Sequence, residues 1–97
     1  TAGQKDMKRL SFVSPKKVFK KYRKKKNLII LSHLGLPADR RFARKARAKT
    51  VIIGGHTHSV LKTCEIVNNI PVCQAGAYAR YLGVMHLDYD NGFLKYV

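Results

Sequence analysis

A mixed α/β fold, a βαβ unit followed by antiparallel strands and hairpins, is predicted by three features of the 97-residue sequence. Two continuous apolar runs, Leu28-Ile29-Ile30-Leu31 and Val51-Ile52-Ile53, lack polar alternation and read as strands buried on both faces of a parallel sheet. The segment between them has helical spacing and is long enough for the crossover that parallel neighbours need. After Val60 the texture changes to short strands separated by turns rich in Asn, Asp and Gly.

The elements follow in order. Residues 1–14 show no sustained period beyond the short run from Leu10 to Val13. Ser14-Pro15 then reads as a helix entrance, with Ser at the cap and Pro in the first turn. Over residues 15–25, Val18, Phe19 and Tyr22 make a narrow apolar stripe with Lys and Arg elsewhere, which suits a helix lying on a sheet. Pro37 opens a second helix over residues 37–48, with Ala38, Phe42, Ala43 and Ala46 as its inner face. Asp39 falls in its first turn, near the positive end of the helix dipole. Later strands are predicted over residues 61–67, 70–74, 82–89 and 93–97, with turns at Asn68-Asn69 and Asp90-Asn91-Gly92.

The turn at Asn68-Asn69 sets a register. A two-residue turn pairs Val67 with Ile70, Ile66 with Pro71, Glu65 with Val72 and Cys64 with Cys73, alternating hydrogen-bonded and non-bonded pairs. Pro71 falls at a non-bonded pair, so its nitrogen is expected to face a sheet edge or a bulge. Cys64 and Cys73 are expected as cross-strand neighbours with reduced thiols, which an oxidising compartment would join. Two cysteines are too few for a disulfide framework and lack zinc-knuckle spacing.

Composition bounds the classes. With 45% hydrophobic and 26% charged residues, the chain is not of the disordered kind and has enough apolar material for one core. No apolar stretch approaches the roughly 18 to 20 residues of a membrane span, and no signal-peptide pattern is present. The first residue is Thr1, and the sequence reads as starting inside a longer chain. The net charge of +15 lies in residues 1–49, where 17 Lys or Arg face only Asp6 and Asp39; later charges balance. Such asymmetry marks either a solvated basic face or a surface for nucleic acid or another anionic partner.

The strongest local chemical signal is Gly54-Gly55-His56-Thr57-His58. Glycines permit a sharp turn and close approach to an ion, and an extended i, i+2 spacing directs two imidazoles to one side. Taken alone, His-x-His is a weak signal, and a polar loop pair explains it better. His33 adds weight, because the βαβ topology places it with His56 beyond adjacent strand ends, the edge where α/β sites form. His86 reads as a strand histidine, Tyr78 and Tyr81 as packing residues, and nothing in the sequence aims Arg80 at a ligand.

Leu31-Ser32-His33-Leu34-Gly35, then Asp39 with Phe42-Ala43, then Ile52-Ile53-Gly54-Gly55-His56-Thr57-His58-Ser59, resembles the calcineurin-like metallophosphoesterases of the 5′-nucleotidase and cyclic-nucleotide phosphodiesterase branch. Val67-Asn68-Asn69-Ile70-Pro71-Val72, Gln74-Ala75-Gly76-Ala77-Tyr78 and Tyr81-Leu82-Gly83 extend the likeness, which runs over about residues 12–87. The resemblance implies a partial metallophosphoesterase sandwich, with residues 1–97 as the C-terminal part of the catalytic domain. It also implies two divalent metal ions in the complete enzyme: His33 and His56 on one, His58 on its neighbour. The implied activity is phosphoester hydrolysis, of nucleotides or related phosphoesters, in the periplasm or outside the cell.

The departures are specific. The family's earlier motifs, Asp-x-His, Gly-Asp-x-x-Asp and Gly-Asn-His-Glu or Asp, are absent, and Ala79 stands where the branch usually has glycine, a minor change beside the missing motifs. The isolated chain is therefore expected to be inactive, with its missing N-terminal half as a required partner and no catalytic residue assigned. Two alternatives remain: a basic module that binds nucleic acid or an acidic partner through residues 16–26 and 40–49 beside a vestigial metal site, and a degenerate structural subunit.

Overall fold

The computed structural model describes residues 11–25, 27–46, 49–90 and 93–96, with backbone alone for 89–90 and 93–96. Helix α1, Pro15–Tyr22, starts at the predicted Ser14 cap. The Ser14 carbonyl accepts from the amides of Lys17 and Val18 at 3.0 and 3.2 Å, while its hydroxyl makes no capping bond. Phe19 is the buried residue of the stripe and meets Phe42 of the second helix with ring centroids 4.9 Å apart. Lys26 and residues 1–10, including Leu10 of the early apolar run, lie outside the described residues.

Strand β1, Asn27–Leu31, helix α2, Leu36–Lys45, and strand β2, Lys49–Ile53, form the predicted βαβ unit, with Leu28 opposite Thr50 and Leu31 opposite Ile53 in a parallel pair. Helix α2 stops short of the expected residue 48, because Ala46 is already extended. Its last carbonyls are taken up by Asn68, whose Nδ2 donates to Ala43 O at 3.1 Å and to Arg44 O and Ala46 O at 3.4 Å. The hairpin turn thus closes the helix end.

Strand β3, Glu65–Val67, and strand β4, Ile70–Cys73, pair in the register that the two-residue turn dictates, and Asn68 and Asn69 adopt φ of 53° and 61°. Strand β4 lies between β2 and β3, so the sheet order is β1-β2-β4-β3. Strands β5, Leu87–Asp90, and β6, Phe93–Tyr96, form a separate antiparallel ribbon. Asn91 and Gly92 of its turn lie outside the described residues.

Several expectations are corrected. The strand predicted over residues 61–67 shrinks to Glu65–Val67, with Val60 making an isolated bridge to Ala75. Residues 81–86 have no regular structure, so His86 is not a strand residue. Pro71 is fully buried inside the sheet rather than at an edge or bulge. Its missing N–H costs no bond because pairing with β2 begins one residue later, at Ile52 with Val72. Cys64 and Cys73 have Cα atoms 4.5 Å apart, as the register requires, but they are joined as a disulfide rather than reduced. That separation lies within bridging range.

The core sits between α2 and one sheet face: Leu36 and Ala43 pack on Ile52, Ile70 and Val72, with Ile30, Phe42 and Val67 around them. The opposite face is where β1 departs from its reading as a strand buried on both sides. Ile29 and Leu31 are 47% and 79% exposed, because β1 is the sheet edge and the helices cover the other face. Ile53 and Ile66 are also half-exposed on this face, whereas Val51 and Pro71, level with Ile29 and Ile66, are buried on it.

Candidate metal centre

Parallel pairing of β1 with β2 sends the residues after Leu31 and Ile53 out of one sheet edge. The ladder extends one step beyond each strand: Ser32 N–H donates to Ile53 O at 2.9 Å, and Gly54 N–H to Cys73 O at 2.8 Å. From these pinned ends the rings of His33 and His56 meet edge to face, with centroids 5.1 Å apart and planes at 74°. Gly55 makes room for this approach. A Cβ there would stand 3.2 Å from His33 Nδ1, and one on Gly54 would collide with Asp39 Oδ2.

His58 goes elsewhere. The chain from His56 to His58 is not extended, since the two residues have φ of 78° and 58°. The i, i+2 argument for two rings on one side therefore fails, and the His58 ring packs edge to face on Tyr78 at 5.4 Å. Tyr78 is 80% exposed, and the Arg80 guanidinium lies 5.9 Å from its ring centre. Tyr78 and Tyr81 lie outside the core and stay largely open to solvent, with Tyr78 packing only against the His58 ring and the Arg80 guanidinium. His86 is exposed as well. Among the described residues no three His, Cys, Asp or Glu side chains form a metal-binding group.

Behind the histidines lies a polar layer that sequence patterns alone do not assign to the site. Ser32 Oγ donates to Asp39 Oδ1 and accepts from Leu34 N–H at 3.2 Å, which shapes the turn carrying His33. Asp39, in the first turn of α2, is fully buried. Burial pushes its carboxyl above the usual carboxylate value, and the Ser32 bond pulls the other way. Gln74 is 4% exposed, and its Oε1 accepts from Ser59 N–H at 2.7 Å and from Thr57 Oγ1 at 2.9 Å. Thr57 Oγ1 in turn accepts from Leu36 N–H at 3.4 Å, at the start of α2. The signal for this layer in the sequence is a polar side chain directly after an apolar strand, Ser32 after β1 and Gln74 after β4.

No family model matches the chain, and no solved structure does so. The chain is 34% identical over 83 residues to a 5′-nucleotidase of Diplobatis ommata, covering 67% of this chain and 14% of that protein. It is 35% identical over 78 residues to the trifunctional nucleotide phosphoesterase protein YfkN of Bacillus subtilis, covering 77% of this chain and 5% of that protein. The metallophosphoesterase YunD of the same bacterium is 31% identical over 64 residues, 66% of this chain and 14% of YunD. The chain belongs to the calcineurin-like metallophosphoesterases, in the 5′-nucleotidase branch. It spans only a small part of the length of these relatives.

Metallophosphoesterases use divalent metal ions, and the His33–His56 pair fits that chemistry. Two imidazoles held at one sheet edge offer borderline-soft nitrogen donors, with one ring admitted by a glycine.

Proposed function

We propose that the chain forms the C-terminal part of the catalytic domain of a two-metal phosphoesterase acting on nucleotides. In this reading His33 and His56 hold one divalent ion, and His58 holds its neighbour. The observation that carries it is the meeting of His33 and His56 beyond adjacent parallel strands. Two bound ions would supply a hydroxide, polarise a phosphoryl oxygen and steady the leaving oxygen. The chain's own residues act more narrowly. They present imidazoles one and two residues beyond the points, Ser32 and Gly54, at which the sheet pins the backbone.

The open apolar face supports a larger domain. Ile29, Leu31, Ile53 and Ile66 lie opposite the helices, and a run of such residues marks a surface that another part of the protein covers. The proposed occupant is an N-terminal half that carries the Asp-x-His, Gly-Asp-x-x-Asp and Gly-Asn-His motifs and the remaining ligands. A Cys64–Cys73 disulfide suits an oxidising compartment such as the periplasm or the exterior.

The test compares two preparations with divalent metal. A longer polypeptide with both halves should hydrolyse a nucleoside monophosphate and lose that activity in His56→Ala. The 97-residue chain should show no turnover of p-nitrophenyl phosphate above background. Robust turnover by the isolated chain, abolished by His56→Ala, would sink the incomplete-site reading. A metal-supplemented longer polypeptide that hydrolyses no phosphoester would sink the enzyme reading.

One observation favours the basic-module reading as a second possibility. Lys16, Lys17, Lys20 and Lys21 of α1 are all exposed, whereas Arg40 of α2 is engaged by Glu65 at 2.8 Å. A steep fall of nucleic-acid affinity with added salt would support this surface, and binding insensitive to salt would remove it.

A further inference from the structure

Two buried side chains, Asp39 of α2 and Gln74 just past β4, each have one polar atom in use and one without a partner among the described residues. For Gln74 the used atom is Oε1, which holds Ser59 N–H and Thr57 Oγ1. A backbone amide only donates, so the amide oxygen must lie on that side and Nε2 must turn inward. Asp39 uses Oδ1 to hold Ser32, the residue before His33. Its Oδ2 is left over.

The two orphaned atoms border one small volume over the Gly54 Cα. A Cβ on Gly54 would collide with Asp39 Oδ2 and would lie 3.5 Å from Gln74 Nε2. One atom accepts and the other donates, and a buried donor and acceptor are costly apart and favourable together. Gly54 lies two residues before His56.

The geometry points to a single polar tether, Ser32–Asp39–Gln74–Thr57/Ser59, closing across Gly54 and making Asp39 and Gln74 positioning residues for the histidine loops. One end fixes the turn of His33. The other holds Thr57 and Ser59, which alternate with His56 and His58 along the chain. His56 and His58 both adopt left-handed backbone, a conformation that persists only when its surroundings enforce it. Thr57 also ties the loop to the first residue of α2. The role in metal binding rests on the function proposed above; the tether itself does not.

The decisive experiment exchanges the two groups. Gln74→Glu alone sets two carboxylates together, and Asp39→Asn alone either sets two amide donors together or, with its amide turned, reverses the bond to the Ser32 hydroxyl. The double variant restores one donor and one acceptor with their direction reversed, while Asn Oδ1 still serves Ser32 and one Glu oxygen still serves Ser59 and Thr57. Two readouts are taken on the 97-residue chain: amide exchange at Ser59 by NMR without metal, and Zn²⁺ affinity by calorimetry. Each single variant should speed Ser59 exchange and weaken Zn²⁺ binding by at least about tenfold. The double variant should return both to within about threefold of the parent. If a single variant unfolds, recovery of a cooperative melt in the double variant is the same rescue. Slow Ser59 exchange in a parent chain that binds no Zn²⁺ would support the tether and overturn the idea that His33 and His56 hold an ion without the N-terminal half. A double variant no better than the worse single one, or one that fails to fold, overturns the tether, as does wild-type Ser59 exchange in both single variants.

Discussion

The imidazoles of His33 and His56 stand edge to face with centroids 5.1 Å apart, although 22 residues of sequence lie between them. An ion bound by both rings loses one donor when either is truncated. His33→Ala and His56→Ala are each expected to weaken Zn²⁺ or Mn²⁺ binding by at least about tenfold, with His86→Ala unchanged. Titration calorimetry decides it, and equal affinities across the three variants would remove His33 and His56 as ligands.

Asp39 carries a pH signature of known sign. Its folded pKa is raised by burial, so the fold holds this proton more tightly than the unfolded chain does. The resulting stabilisation is complete below the unfolded value of about 3.8 and is lost as pH rises through the folded value. The melting temperature of the parent minus that of Asp39→Asn should therefore grow as pH falls from about 7 to about 4. A difference that stays flat, or shrinks toward acid, would show that the carboxyl is not raised.

The disulfide closes a short loop, with Cys64 and Cys73 separated by 9 positions in sequence. Loop-closure entropy for that length is worth about 2 to 3 kcal/mol. Reduction, or replacement of both cysteines by serine, is expected to lower the melting temperature by about 10 °C or more. Identical melting curves with and without reductant would show that the bridge does not stabilise the chain.

Ala79 stands in left-handed backbone at φ 55°, where its branch of the family usually has glycine. The departure is small in chemistry but not in backbone energy. For a residue with a Cβ that conformation costs about 1 to 2 kcal/mol, and glycine's extra freedom in the unfolded chain gives part of it back. Ala79→Gly should raise stability by about 0.5 to 1 kcal/mol in a denaturant titration. Destabilisation would mean that the methyl group packs usefully.

What the amino-acid sequence determined by itself was local and periodic. Two unbroken apolar runs specify parallel strands, and Asn68-Asn69 specifies a two-residue turn, since both residues tolerate positive φ and register then follows by counting. From those facts alone, His33 and His56 fall at one sheet edge and Cys64 falls opposite Cys73. Tertiary structure decided what period and propensity do not carry. It turned His58 onto Tyr78, because two left-handed residues in the loop break the alternation of an extended chain. It left β1 open on one face, because strand order, and not the apolar run, determines which strand is an edge. It also buried Asp39 against Gly54 and brought Gln74 beneath Thr57 and Ser59, contacts between residues distant in sequence that exist only once the sheet and α2 have packed together.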